Sequence, residues 1–326
     1  MVSINQASGK YIESISQARS KHTARAYGNG MKAFIETLSN NGINPDGDIT
    51  GLNEDAITLF SAYLKRLSTA TESQYTTAVI GFYEYLEAER IASINLARVK
   101  LLARKHNRRA GIRIPKYPAD EIGVMLAHIE GMEIPQPKKN SSIRADHARM
   151  LVLRDKALIL TLADTGLRIH EACNLRFRDM DIENRRAVVI GKGNKQAVVL
   201  FSARAMDAIT DYLEARSPLE SMYNGSRPTL PVFARHDRGA GLEVKPITTT
   251  AGYKAITEMA REILGDEHSI TPHKFRHYFV TTVLRGSGNL KLAQELARHA
   301  NISTTAGYAH LSMVELESGY GAIFSK

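Results

Sequence analysis

"RRAVVIGKGNKQAVVLF", residues 185–201, is the stretch that decides the architecture of this chain. Two β-branched runs, 187–190 and 197–201, flank a glycine-rich centre, "GKGNK" at 191–195. Valine and isoleucine suit the pleated, half-buried surface of a strand, and the glycines supply a turn. The segment reads as a single β-hairpin with Lys192 and Lys195 at its tip. It is not a phosphate-binding P-loop, because the glycine spacing differs and no helix follows.

Everything around this hairpin has a helical period. In "SKHTARAYGNGMKAFIETLSNNG" (20–42), Ser20 or Thr23 offers a cap, and Tyr27, Met31, Phe34, Ile35 and Leu38 follow at helical spacing. "NEDAITLFSAYLKRLS" (53–68) repeats the plan, with Asn53 as the expected cap and Ile57, Phe60, Leu64 and Leu67 as the apolar stripe. "TESQYTTAVIGFYEYLEAER" (71–90) and "INLARVKLLARK" (94–105) add a third helix and a short fourth. The aromatics Tyr27, Phe34, Phe60, Phe82 and Tyr83 sit in these stripes and are assigned to a core, not to base stacking.

Downstream, Pro115 and Pro118 in "RIPKYPADEIGVML" (113–126) oppose helix continuation, and a new helix starts at Ala119 or Asp120. "IPQPKKNSSIR" (134–144) is a loop, and "ARMLVLRDKALILTLADTG" (148–166) is an apolar, buried helix stopped by Gly166. The expected fold is mainly α. A helical bundle over 1–103 is joined by a basic linker, 104–118, to a mixed α/β domain over 119–326 that is helical apart from the hairpin.

A chain of 326 residues is comfortable for two domains, and no run of eighteen apolar residues points to a membrane span. The first ten residues lack the plan of a signal peptide, and one cysteine, Cys173, excludes an internal disulfide. Both suit a reducing cytoplasm. The net charge of +9 points to a polyanionic partner. Residues 98–116 hold eight basic side chains (Arg98, Lys100, Arg104, Lys105, Arg108, Arg109, Arg113 and Lys116) and no acidic one. Phosphate contact is the favoured reading of that window, against a solvated helix face.

The chemistry is carried by "TPHKFRHYFV" (271–280). Thr271 and Pro272 form a helix start, which places His273, Arg276 and His277 on one face at i, i+3 and i+4. Free N–H groups beside a cationic face make an anion site. A zinc pair is the competing reading, but Lys274 stands where the metalloprotease motif has Glu, and Lys274 and Arg276 would repel a dication. A buried, hydrogen-bonded His beside a surface Arg stays open on this segment alone. Two further fragments belong with it. "TGLRIHEACNL" (165–175) sets Arg168 just past a turn with Glu171 one helical turn later, and "LARHANISTTAGYAH" (296–310) holds His299 and Tyr308 nine residues apart.

Taken together and in order, Arg168, Lys192, His273, Arg276, His299 and Tyr308 resemble the tyrosine recombinases, the phage-type integrases and their relatives. "KHTARAYGNGMKAFIETL" (21–38) also looks like the opening of that family's core-binding domain, so nearly the whole chain is covered. Two departures stand out: His170 replaces the usual small residue before the box-one Glu, and "ARH" (297–299) stands where "LGH" is common.

The resemblance implies DNA strand exchange through a covalent protein–DNA intermediate. Tyr308 would be the nucleophile, although at a pKa of about 10 only about one tyrosine in a thousand is ionised at pH 7. Arg168 and Arg276 would clamp the nonbridging oxygens of the phosphate, with His273 as general base or phosphate donor and His299 on the phosphate. Lys192 would protonate the leaving 5′-oxygen, with Lys195 as the nearby competitor. Glu171 would hold a catalytic side chain in place. No metal, ATP or other cofactor is implied. The partner is a double-stranded recombination site gripped by both domains, in a homotetramer on two sites with room for accessory DNA-bending proteins and no membrane. The apolar tail (Leu311, Val314, Leu316, Ile323, Phe324) either docks on a neighbouring protomer or folds onto its own domain. The competing functions are a non-catalytic DNA-binding relative, an enzyme that relaxes supercoils by the same tyrosine chemistry, and a metal-dependent nuclease, the last disfavoured because no Asp/Glu cluster lies near these histidines in sequence.

Overall fold

The computed structural model of the chain describes residues 2–108, 119–136, 147–191, 196–223, 225–237 and 239–299. It divides into two compact units, Met1–Arg113 and Ile114–Lys326.

In the first unit five helices, α1 (Ile4–Ala18), α2 (Lys21–Asn40), α3 (Ala56–Leu64), α4 (Thr69–Ala88) and α5 (Leu96–His106), enclose one core. Side chains set most of the starts. Ser3 caps α1 in a capping box with Gln6, and Ser20, Ser68 and Asn95 accept from the backbone of α2, α4 and α5. Asn53, expected to cap α3, instead accepts from the Asp55 N–H at 3.1 Å one turn earlier, and Asp55 takes the cap position without a side-chain bond. Phe34, Phe60, Phe82 and Tyr83 are fully buried, with Phe34 and Phe60 edge to face at 5.2 Å. Tyr11 of α1 reaches α4, where its hydroxyl donates to Ala78 O at 3.0 Å. The approach is so close that a Cβ at Gly81 would overlap the Tyr11 hydroxyl.

The second unit is built on α7 (His147–Thr165), which packs against α9 (Ala203–Glu220), α10 (Thr249–Leu264), α11 (Pro272–Ser287) and the short α8 (Ile169–Cys173). A helix apolar on every side is stable only when surrounded, and α7 is buried along most of its length. α6 (Ala119–Glu130) covers α10 and α11, and α12 (Leu290–Ala297) packs on α11.

The hairpin is present, and it gains a strand that periodicity did not reveal. β1 (Met180–Asp181), β2 (Arg186–Ile190) and β3 (Gln196–Leu200) form an antiparallel sheet with Ala187 opposite Val199 and Val189 opposite Ala197. Two-residue β1 is too short to show alternation. Ala187, Val189 and Val199 face the core, whereas Val188, Ile190, Val198 and Leu200 are exposed.

Beside this apolar core lies a buried polar cluster. Tyr212 Oη meets His236 Nε2 at 2.8 Å and accepts from Ala234 N at 3.1 Å, while fully buried Arg216 donates to Val232 O at 2.9 Å and pairs with Glu220 at 2.7 Å. Buried polar groups need such partners to offset lost hydration. Among the described residues, no helix is long and apolar enough to cross a membrane.

Candidate active site

The site is organised on the turn that ends α7. Gly166 sits at φ 59°, a left-handed conformation that glycine adopts without penalty, and a Cβ there would overlap the Phe279 ring of α11. The turn buries Leu167 and delivers Arg168 as the residue preceding α8. Glu171, one helical turn on, accepts from Arg168 N at 2.9 Å through Oε2 and from Arg168 Nη1 at 2.9 Å through Oε1. The Glu171 side chain is 3% exposed against 41% for Arg168, so the carboxylate is sealed while the guanidinium stays open to a ligand.

α11 begins at Pro272 after Thr271, whose side chain makes no capping bond. The helix turns Phe275 and Phe279 inward and buries Arg276 with them. Arg276 Nη1 donates to Gly166 O at 2.5 Å, and Nη2 donates to Ala297 O at the end of α12. His273 and His277 lie one turn apart with ring centroids 5.0 Å from each other. The end of α12 supplies the remaining groups. His299 N donates to Gln294 O and Gln294 Nε2 donates to His299 O, both at 3.1 Å, which fixes the turn holding His299. Arg298, in the left-handed conformation, donates from Nη2 to Glu171 Oε2 at 3.2 Å and to Gly166 O at 3.4 Å.

The electrostatics follow from this crowding of guanidiniums. Partial burial, then Arg276 and Arg168, hold the His273 imidazole below its ordinary value. His299 is pushed down to about 4 by burial and by Arg276, Arg168 and Arg298, and His277 to about 4 by burial and by His273 and Lys274. Burial and the guanidiniums thus favour the neutral form of each imidazole. Burial pushes the Glu171 carboxyl upward, but the bond from Arg168 N and the guanidiniums of Arg298 and Arg168 outweigh it and hold the group ionised. The pocket is thus strongly cationic with one fixed carboxylate.

Five residues singled out in the sequence, Arg168, Glu171, His273, Arg276 and His299, meet in this pocket from α8, α11 and the turn after α12. Lys192, Lys195, Tyr308, Arg109, Arg113, Lys116 and the apolar tail lie outside the described residues. Of the other basic residues, Arg98 pairs with Asp55 at 2.7 Å and Lys100 with Glu84 at 2.7 Å. Arg108 is tied more firmly, through N at 2.8 Å and Nε at 2.5 Å, to the buried carboxylate of Glu72. Arg104 and Lys105 are exposed in the last turn of α5. His170, which stands where the family usually has a small residue, is exposed. Among the described residues, the site includes Arg298, which the sequence reading did not assign and whose only signal was its place beside His299.

The phage integrase family model matches residues 139–315. The chain is 28% identical over 301 residues to the tyrosine recombinase XerC of Listeria innocua, covering 92% of this chain and 91% of that protein. It is 29% identical over 301 residues to XerC of Listeria monocytogenes, with the same coverage. Among solved structures, the XerH recombinase in a post-cleavage complex with palindromic difH substrate superposes with a TM-score of 0.68 at 22% identity, over 93% of this chain and 80% of that one. The Tn1549 transposon integrase, in complex with circular intermediate DNA, gives a TM-score of 0.64 at 17% identity over 99% of this chain and 100% of that one.

Proposed function

The chain belongs to the phage integrase family of tyrosine recombinases, and we propose that it is a site-specific DNA recombinase that cuts and rejoins strands through a 3′-phosphotyrosyl intermediate. The observation that carries this reading is the convergence of Arg168, His273, Arg276 and His299 on one pocket from three separate segments. A phosphodiester repels nucleophiles, and its pentavalent transition state gathers further negative charge. Preorganised guanidiniums answer that charge where it develops, each typically worth about 2.7–4 kcal/mol of barrier.

In the proposed step Tyr308 Oη attacks the scissile phosphorus. The bond from phosphorus to Tyr308 forms as the bond to the 5′-oxygen breaks. The phenolic proton passes to His273, which suits the role because its neutral form is favoured. Lys192 gives a proton to the departing 5′-oxygen, and His299 donates to a nonbridging oxygen. Glu171 holds Arg168 by the paired bonds described above. The phosphotyrosine conserves the energy of the broken bond, so a 5′-hydroxyl from another strand reverses the chemistry without ATP or metal.

Residues 1–103 would grip the core site, 104–118 would cross the backbone as a basic link, and 119–326 would cut. Arg104 and Lys105 are the exposed basic pair supporting phosphate contact, with Arg98, Lys100, Arg108, Arg109, Arg113, Lys116 and Lys195 completing the set. The assembly would be a homotetramer on two double-stranded sites, working in the cytoplasm. The named activity of the XerC relatives supports this reading.

Covalent trapping tests it. Wild type and Tyr308→Phe are incubated with DNA flanking the gene in the presence of EDTA, then run on a denaturing gel. A detergent-resistant protein–DNA band in wild type alone supports Tyr308 as nucleophile. A band that persists in the variant assigns the nucleophile to another residue, and tight binding without any band on a nicked substrate points to a non-catalytic DNA-binding protein.

A further inference from the structure

Arg298 carries two unfavourable features at once. Its backbone, at φ 56° and ψ 43°, is in the left-handed region, where a Cβ is crowded. Its side chain is 12% exposed, and Nη1 is buried with no hydrogen-bond partner among the described residues. Arg90 and Arg185 share the positive φ, but both are exposed on the surface. Among the described residues, Arg298 alone combines the strained backbone with a buried guanidinium, and it does so beside Arg168 and Arg276. Burial lowers its pKa, with Arg168 adding to the effect and Glu171 opposing it. Strain of this kind persists where surrounding contacts impose it, and it clusters at working sites.

What the residue gains is a link between two turns. Its backbone precedes His299, on the turn after α12. Its Nη2 reaches Glu171 Oε2 at 3.2 Å and Gly166 O at 3.4 Å, on the turn that presents Arg168. Glu171 Oε2 also accepts from Arg168 N at 2.9 Å, so one carboxylate oxygen joins the two turns through two donors. The chain carries arginine at the position where the family's "LGH" has glycine, a residue that would take this backbone conformation without strain. Glycine could not make the link.

We infer that Arg298 is a positioning residue that fixes His299 against Arg168 through the shared carboxylate of Glu171. The inference rests on the recombinase reading, because it assigns a purpose to holding those two phosphate-facing groups in register. Arg298 is not placed on the phosphate itself. It acts on the reaction by keeping two donors at the separation the transition state needs.

The test is single-turnover cleavage of a nicked suicide substrate at saturating DNA, using a site selected by binding from a random library. Wild type, Arg298→Gly, Arg298→Lys, Glu171→Gln and the Arg298→Gly/Glu171→Gln double variant are compared. Arg298→Gly should keep or raise the melting temperature, since glycine relieves the backbone, and should keep its DNA Kd within about twofold. Its cleavage rate should fall roughly 10- to 100-fold. Lysine should restore part of the rate, and the double variant should be no slower than Glu171→Gln alone. Wild-type speed in Arg298→Gly, or fully additive losses in the double variant, overturns the inference. So does a rate loss matched by an equal loss of DNA affinity. Should Arg298→Gly not fold, an Arg298→Met variant, which cannot pair with Glu171, at wild-type speed with Glu171→Gln impaired overturns it as well. No adduct with wild type on the selected site would instead overturn the recombinase reading itself.

Discussion

Arg276 and Gly166 stand 110 residues apart in sequence and are joined by one hydrogen bond, from Nη1 to the glycine carbonyl at 2.5 Å. The same guanidinium donates to Ala297 O, so the pocket's most buried cation is also a clamp on two turns. Arg276→Gln should therefore lose stability and activity together. Losing a buried hydrogen bond of this kind costs about 1–3 kcal/mol, and loss of one preorganised donor costs about 10²- to 10³-fold in rate. Arg276→Lys keeps the charge but cannot reach both carbonyls, so it should restore less than a tenth of the lost rate. Chemical denaturation and adduct formation read the two effects separately.

Gly166→Ala should destabilise the second unit by about 2–4 kcal/mol, combining a left-handed penalty with overlap on Phe279. Adding Phe279→Leu should recover the packing share and leave the backbone share. If the double variant is no more stable than Gly166→Ala, the ring is not what excludes a Cβ.

The basic residues near the end of the first unit should behave as two classes. Arg104→Ala/Lys105→Ala should leave the melting temperature unchanged and reduce the slope of log K against log salt by about 2. Arg108→Ala should lower the melting temperature as well as the salt slope. It leaves the Glu72 carboxylate, 1% exposed, without its cation and should cost about 1–3 kcal/mol of unfolding free energy. DNA titrations at several salt concentrations, paired with urea melts, distinguish the classes.

Stability should fall on mild acidification. Burial, followed by the neighbouring guanidiniums Arg154 and Arg216, pushes the His236 imidazole down to about 3; His147 adds to this and Asp237 opposes it. An unfolded-state value near 6.5 means that below pH 6.5 the unfolded chain binds a proton the folded one refuses. The contribution is whole above pH 6.5 and is lost progressively as the pH falls towards 3. A single histidine supplies up to about 1.4 kcal/mol per pH unit. His236→Gln should flatten urea midpoints measured between pH 6.5 and 4.5. An unchanged slope would reassign the effect to the half-buried His277 and His299.

The hairpin and the helices α2 to α7 and α11 were legible because their signals are local, whereas α1, α9, α10 and α12 were not read from the sequence. Period, caps and β-branched runs are written within a few residues, and Phe34, Phe60, Phe82 and Tyr83 went to the core as their spacing implied. β1 and the true start of α3 were not, because a two-residue strand has no period and the Asn53 side chain closes a turn just before the helix. In the site, Arg168, His273, Arg276 and His299 were legible as an ordered series of motifs. The link from Arg298 to Glu171 was not, because it crosses 127 residues of sequence and depends on a left-handed turn at an arginine. Equally hidden was the division of the basic stretch, since the acidic partner of Arg98 caps α3 and those of Lys100 and Arg108 lie on α4.

The carbonyl of Gly166 has a consequence for how this protein is made. It receives donors from Arg276 and Arg298, 110 and 132 residues later in the chain. Loops of that length close slowly and only after the far end exists. During synthesis, the Arg168 turn emerges and packs on α7 long before α11 and the end of α12 have left the ribosome. A chain terminated before Pro272 would lack Arg276, Arg298 and His299, which complete the pocket. The pocket can therefore close only once the chain has been made past His299.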